Sequence, residues 1–305
     1  MKTPVVLIIF NRPNHTERVL ETIRQAKPSK LLVIADGPRA NRPDDHQKCA
    51  AARAIVERVD WDCEVLKNYS DINLACDPRI IDGLNWVFDI VEKAIILEDD
   101  CVPHPTFFPY CEELLEQYRD DKRVMNISGQ NVLFGRKRTE YSYYFSRFTL
   151  CWGWATWRRA WQYFDTDMKL WPEVQERKFM KDILEDPYAV KVWTRTVQML
   201  YDGRLTGWDF KWIFACWLQN GLCIIPQVNL VTNIGYGVEA THSHDEEDPY
   251  IKMPTEAINF PLKHPPFVIR DLEADKLTQR TLFDYDPNLF KKASNKLRKI
   301  RQKIF

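Results

Sequence analysis

Two groups of carboxylates stand out as residues that could do chemistry. Glu98-Asp99-Asp100 closes the apolar run Ala94-Ile95-Ile96-Leu97 and is followed by Cys101-Val102-Pro103-His104-Pro105. Adjacent like charges repel, so they must be hydrated or neutralised. A short apolar run ending in acids reads as a buried strand that delivers its carboxylates into a crevice at its carboxyl end. Oxygen-only ligands there suit Mg²⁺ or Mn²⁺, cations that keep waters and bridge one or two carboxylates to substrate phosphates. A solvated acidic turn is the competing reading. The second group is Asp209, which shares the aromatic stretch 206–223 with a single other charge, Lys211. Near a helix start it can cap backbone N–H groups, or it can serve as a general base for an attacking hydroxyl.

Other candidates surround these. Arg12 and Arg79 fall where a strand-end loop and a helix start face the crevice, as contacts to phosphate or base or as ion pairs. Trp152, Trp154, Trp208 and Trp212 can stack on sugar faces or fill the core; those beside Gly153 and Asp209 carry the functional reading. His242 and His244 follow the loop Asn233-Ile234-Gly235-Tyr236-Gly237, and either is a candidate for the metal or a diphosphate. Their i,i+2 spacing is not that of a dedicated metal site.

The elements that position these residues can be read from periodicity. A strand over 4–10 leads to a helix with a capping-box-like Asn14 and Glu17 and apolar Val19, Leu20 and Ile23. A strand over 30–35 ends in Asp36-Gly37-Pro38 and precedes a helix across 43–59. A strand over 63–66, a helix over 78–91 and the strand Ile95-Ile96-Leu97 close the series. This βαβαβαβ order predicts a parallel sheet covered on both faces. Asn11-Arg12-Pro13, Asp36-Gly37-Pro38 and Glu98-Asp99-Asp100 then converge at its carboxyl edge. The first loop is neither GxGxxG nor GxxxxGK[ST], which removes most support for hydride transfer or a P-loop NTPase. Beyond 120, aromatic residues crowd 141–161, a buried helix spans the 206–223 stretch up to Asn220-Gly221, and a short strand is expected over 228–231.

Composition excludes several classes. Lys plus Arg and Asp plus Glu balance at 43 each, against whole-protein attraction to nucleic acid. The eight cysteines are scattered without a CxxC pair, which argues for reduced thiols and against a zinc site or disulfide framework. No secretory leader or membrane span is legible. The expectation is a cytoplasmic protein. Residues 291–303 carry Lys291, Lys292, Lys296, Arg298, Lys299, Arg301 and Lys303 without an acid, over a helical apolar pattern. Such a tail either docks peripherally on the inner face of an anionic membrane or packs on its own domain.

Together these motifs resemble the GT-A glycosyltransferases, and among them the N-acetylglucosaminyltransferases that initiate complex N-glycans and their bacterial relatives. The resemblance runs through 4–245 and implies a Rossmann-like α/β fold with a mainly parallel sheet. It implies a nucleotide-sugar-binding half (1–135), an acceptor and catalytic-base half (136–260) and a C-terminal extension (261–305). Glu98-Asp99-Asp100 is similar to the family's acidic motif, with Asp100 the metal ligand and Glu98 and Asp99 facing ribose and sugar. Arg12 would contact the nucleotide sugar and Asp36 the uracil. Arg79 stands where the N-glycan enzyme has a His near the base. Leu150-Cys151-Trp152-Gly153-Trp154 resembles the Gly-Trp segment lining the site. Thr206-Gly207-Trp208-Asp209-Phe210 resembles the base segment, making Asp209 the inverting base, and 233–243 resembles a loop that orders over bound donor. The implied activity is Mn²⁺- or Mg²⁺-dependent transfer of a hexosyl or N-acetylhexosaminyl group from a UDP-sugar to a hydroxyl of a glycan, glycolipid or other acceptor. A sugar nucleotidyltransferase and a non-catalytic nucleotide-sugar or glycan-binding protein are the alternatives.

Overall fold

A computed structural model describes residues 1–235 and 253–283. The first half is built as the periodicity predicts: β1 (Val5–Ile9), α1 (Pro13–Ala26), β2 (Lys30–Ala35), α2 (Pro43–Val56), β3 (Glu64–Tyr69), α3 (Cys76–Ile90) and β4 (Lys93–Glu98). There follow β5 (Cys101–Pro103), α4 (Phe107–Gln117), β6 (Val124–Ser128), β7 (Tyr143–Ser146) and β8 (Trp154–Trp157). Then come α5 (Arg158–Trp161), α6 (Trp171–Glu176), α7 (Met180–Leu184), α8 (Pro187–Tyr201), α9 (Trp208–Leu218), β9 (Leu222–Pro226) and β10 (Val231–Asn233). The described chain ends with α10 (Leu272–Thr278) and a π-helical turn, Gln279–Phe283.

Eight strands form one sheet in the order β3-β2-β1-β4-β8-β6-β9-β7. β1 to β4 are mutually parallel; β8 runs antiparallel between β4 and β6, β9 is parallel to β6, and β7 closes the edge antiparallel. The architecture is α/β with a mainly parallel, Rossmann-like sheet. The boundary expected at 135/136 falls between β6 and β7, and the sheet continues through it, so the two halves share one hydrogen-bonded framework.

Strand residues alternate between two cores, as a two-faced sheet requires. Val5, Leu7, Leu31, Val33, Ile95 and Leu97 pack with residues of α1, α2 and α4, while Val6, Leu32, Ile34, Ala94 and Ile96 pack with residues of α3 and α9. All five residues of β1 are buried. Each such aliphatic side chain contributes about 1.5–3 kcal/mol to holding the strand in place. A third core joins α6, α7, α8 and α9 around Phe148.

Several boundaries differ from expectation. Helix α1 begins at Pro13, with Arg12 as its cap residue and no side-chain cap, so Asn14 lies in the first turn and makes no capping box. Proline at the first helical position presets φ where the missing N–H would have had no partner. Strand β3 extends to Tyr69, and the strand expected over 228–231 is the later β10, pairing antiparallel with β5. The aromatic stretch 141–161 contains two strands, β7 and β8, and Leu222–Pro226 is a further strand directly after the aromatic helix. All are buried or nearly so, so they lack the apolar/polar alternation that marks a half-exposed strand. None of the eight cysteines forms a disulfide, and six are buried.

Candidate functional site

Chain order places the crevice. β2 and β3 extend the sheet on one side of β1, and β4 returns on the other, so the strand order reverses between β1 and β4. In open α/β sheets the loops after such a pair diverge and leave room for a ligand. Asn11-Arg12-Pro13 leaves β1 there, and Glu98-Asp99-Asp100 leaves β4 from the paired register Ile8–Glu98.

The two loops meet through charge. The Arg12 guanidinium ion-pairs with Asp99 and lies 3.0 Å from Asp100 Oδ2. Asp99 also accepts the Phe10 backbone N–H at 3.3 Å. Asp100 accepts the Asn233 amide on Oδ1 at 3.2 Å, and its backbone carbonyl accepts Ile234 N–H at 2.8 Å. The acids therefore hold β10 against them as well as Arg12. Gly235 completes this wall: a Cβ there would lie 2.1 Å from Asp100 Oδ2 and 2.8 Å from Arg12 Nη1, so only glycine fits without displacing the pair. His15 on α1 contacts the Ile234 carbonyl through Nε2 at 3.1 Å.

One arginine does not neutralise this group. Burial and then the charges of Asp100, Asp99 and Asp209 push the Glu98 carboxyl up. Burial also raises Asp99, against the opposing pull of Arg12. Asp209, in the first turn of α9, is thus close enough for its charge to be felt at Glu98. The Cys76 thiol, at the start of α3, is raised to about 12 by desolvation and then by Glu98, Asp77, Asp209 and Asp100. Asp77 accepts the Gly207 N–H at 2.6 Å, tying the start of α3 to the start of α9.

The flank at β2 is more firmly built. Asp36 accepts Gly37 N–H and Leu74 N–H at 2.9 Å each and the Asn73 amide at 2.8 Å, while burial raises its carboxyl. The Ala75 backbone N–H acts on the same carboxylate, so Asp36 is surrounded by donors from the start of α3. Arg79 is buried, with its guanidinium on the Asn68 carbonyl at 2.8 Å, the Asn68 side chain, and Asp82 at 2.7 Å. These contacts tie α3 to β3.

Gly153 has φ +60°, and a Cβ there would lie 2.6 Å from Val231 Cγ2 and 3.3 Å from Leu97. Its glycine allows close packing of β10. Trp208 is 5% exposed and packs 5.7 Å from Trp154, itself core like Trp212, so these rings fill space between α9 and the sheet. Trp152 is half-buried. His242 and His244 lie outside the described residues. Asn233, Asp77, Asn73 and His15 were missed as site residues because their roles depend on contacts between segments far apart in the chain.

Among the described residues no group of three or more His, Cys, Asp or Glu side chains is arranged to hold a metal ion by itself. The donors present are carboxylates in charge excess, with Asp100 reaching the crevice. They fit a hard cation held by one or two protein oxygens and a diphosphate, not a self-sufficient cage. A groove of about 330 Å³ between α1 and α2 is lined by residues that include the ion pairs Glu17–Arg58 and Arg24–Asp60, so its charges are already partnered. Among the described residues no helix is long and apolar enough to cross a membrane.

No family model and no curated protein matches the sequence. Similar solved structures include the galactosyltransferase LgtC in complex with donor and acceptor sugar analogs, at 11% identity over 71% of this chain and 70% of that one, TM-score 0.37. Another is the mannosyltransferase PcManGT from Pyrobaculum calidifontis in complex with GDP-Man and Mn²⁺, at 12% identity over 71% and 69%, TM-score 0.38. A UDP-glucose pyrophosphorylase complexed with UDP-glucose matches at 12% identity over 48% of this chain, TM-score 0.28, and the match spans 62% of that enzyme. All are distant likenesses among nucleotide-sugar-handling enzymes, and the fold assignment rests on the sheet itself.

Proposed function

We propose that the chain is a glycosyltransferase that moves a hexosyl or N-acetylhexosaminyl group from a UDP-sugar to an acceptor hydroxyl with inversion. The observation that carries this reading is the joining of Arg12 to Asp99 and Asp100 at the β1/β4 switch point, with the Asp77–Gly207 hydrogen bond tying the start of α9, which carries Asp209, to the start of α3. A mouth with carboxylates in excess of its single arginine suits a ligand that arrives with its own cation. Asp36, at the end of β2, is the residue that would face uracil in this reading. In this reading Glu98 and Asp99 face ribose and sugar, and Trp152 borders the sugar.

Asp100 would hold Mn²⁺ or Mg²⁺, whose charge would offset that developing on the departing diphosphate. The acceptor oxygen attacks the anomeric carbon from the face opposite the diphosphate. The bond from that carbon to the diphosphate oxygen breaks with its electron pair, and the acceptor proton passes to Asp209. Arg12 suits a bidentate contact to the diphosphate. The acceptor is a hydroxyl of a glycan, glycolipid or related molecule, met in the cytoplasm or, through the basic tail at 291–303, at an anionic membrane surface.

Calorimetric titration with UDP, GDP and CMP, each with Mn²⁺ and with chelator, tests the donor site. The expected result is metal-dependent binding of UDP that is lost in Asp100→Ala. Failure of every nucleotide to bind would sink the reading. Tight donor binding in a wild type that transfers no sugar would favour the non-catalytic alternative.

A further inference from the structure

We propose that Arg12 is the built-in counter-cation of the acidic triplet: it occupies the oxygens a divalent cation needs and gives them up when a diphosphate offers its guanidinium a second partner. This rests on the donor-site reading above and concerns how the site is loaded.

Both carboxylate oxygens of Asp100 are engaged. Oδ1 accepts the Asn233 amide at 3.2 Å and faces the Cys101 thiol at 3.5 Å, and Oδ2 lies 3.0 Å from Arg12. A cation on Oδ2 would be repelled by a guanidinium on the same atom, strongly so in a partly buried site. The pair is also closely packed: a Cβ on Gly235 would meet both Asp100 Oδ2 and Arg12 Nη1, and Arg12 ion-pairs with Asp99 as well. Entry of a metal therefore favours movement of the guanidinium away from Oδ2. The Arg12 side chain is 20% exposed, so it has a path toward the crevice. A diphosphate suits its planar fork at least as well as the carboxylates do.

Two consequences follow. Metal alone binds poorly, since it must displace Arg12 and leave that charge without a partner. Metal and nucleotide diphosphate bind with strong positive coupling, and the coupling is reciprocal. A bare metal ion would then rarely occupy the site, and the carboxylates would not be left uncompensated between turnovers. The competing view is that Arg12 is a fixed structural ion pair, in which case its removal weakens every binding step.

The test is Mn²⁺ titration of the full-length protein followed by electron paramagnetic resonance of free Mn²⁺, with and without UDP. In the wild type, weak Mn²⁺ binding should tighten roughly tenfold or more when UDP is present. Arg12→Gln should bind Mn²⁺ alone roughly tenfold tighter than the wild type, with UDP adding little further. Arg12→Lys keeps a cation and should bind Mn²⁺ alone as weakly as the wild type. Arg12→Gln that binds Mn²⁺ no tighter than a wild type competent with UDP would overturn the counter-cation role and leave the donor site standing. Absence of Mn²⁺ binding in every protein, with or without UDP, would overturn both. Should Arg12→Gln not fold, the wild type decides: Mn²⁺ affinity indifferent to UDP ends the proposal.

Discussion

Two buried carboxylate sites beside the same strand behave in opposite ways. Asp45, on α2, receives a bidentate pair from Arg39 (2.6 and 3.0 Å), the Arg39 backbone N–H and the Asn11 amide at 2.7 Å. Its carboxyl is held down at about 2, chiefly by Arg39. Glu98 and Asp99, just across β1, are pushed up, because burial and mutual repulsion outweigh what Arg12 supplies. Asp45 is a compensated site that holds the Asn11 side chain. The acidic triplet has one guanidinium for three carboxyl groups, and two of those carboxyls are pushed up by burial and by their neighbours.

This contrast can be broken or sharpened by substitution. The largest effect is expected from Asp209→Asn, on the wall facing the triplet. Turnover should fall by about 10²–10⁴-fold while UDP affinity, read by calorimetry, stays near the wild-type value. Parallel losses of both would make Asp209 a positioning cap rather than a base.

Asp45→Asn should do the reverse. It removes charge from a compensated pair and should cost about 2 kcal/mol in urea unfolding, less than a fully buried pair because Arg39 is 42% exposed. The folded pKa of Asp45 lies below its unfolded value. Its stabilisation is therefore present above about pH 4 and lost as pH falls toward about 2, and the variant should unfold in acid with a shallower pH dependence. An unchanged acid limb would remove Asp45 from the comparison.

The smallest effect belongs to Glu98→Gln, whose sign is the informative part. A carboxyl raised in the folded state stabilises fully below its unfolded pKa, and that contribution is lost as pH rises through the folded value. Thermal melts from pH 5 to pH 9 should show the wild type weakening. Glu98→Gln should weaken less and gain up to ~1 kcal/mol at the alkaline end. Asp99 and Asp275, raised by burial, keep part of the slope in both proteins. A variant less stable than the wild type at high pH would mean that Glu98 is compensated after all.

Local sequence was informative wherever one segment carries its own cause. Strands β1, β2 and β4 are legible because apolar runs end abruptly in polar residues, and α9 because Trp208–Leu218 is apolar nearly all round and stops before Asn220-Gly221. Strands β7 and β8 were not, because four residues buried on both faces show no period. The same limit explains the glycines. Gly153 reads as room for a ligand, yet the space is taken by Val231, about eighty positions away.

What the chain determined by itself was the inventory and its approximate depth: a strand ending in three acids, a basic residue after another strand, and an acid at the start of an apolar helix. These follow from hydrophobic patterning, which acts between neighbours in sequence. Tertiary structure alone decided which charges compensate which. Arg12 meets Asp99 and Asp100 only because β1 and β4 pair in parallel, Asn233 reaches Asp100 only through the β5–β10 pairing, and Arg79 meets Asn68 only because α3 packs beside β3. Electrostatic worth depends on distance and burial, and neither is written in spacing along the chain.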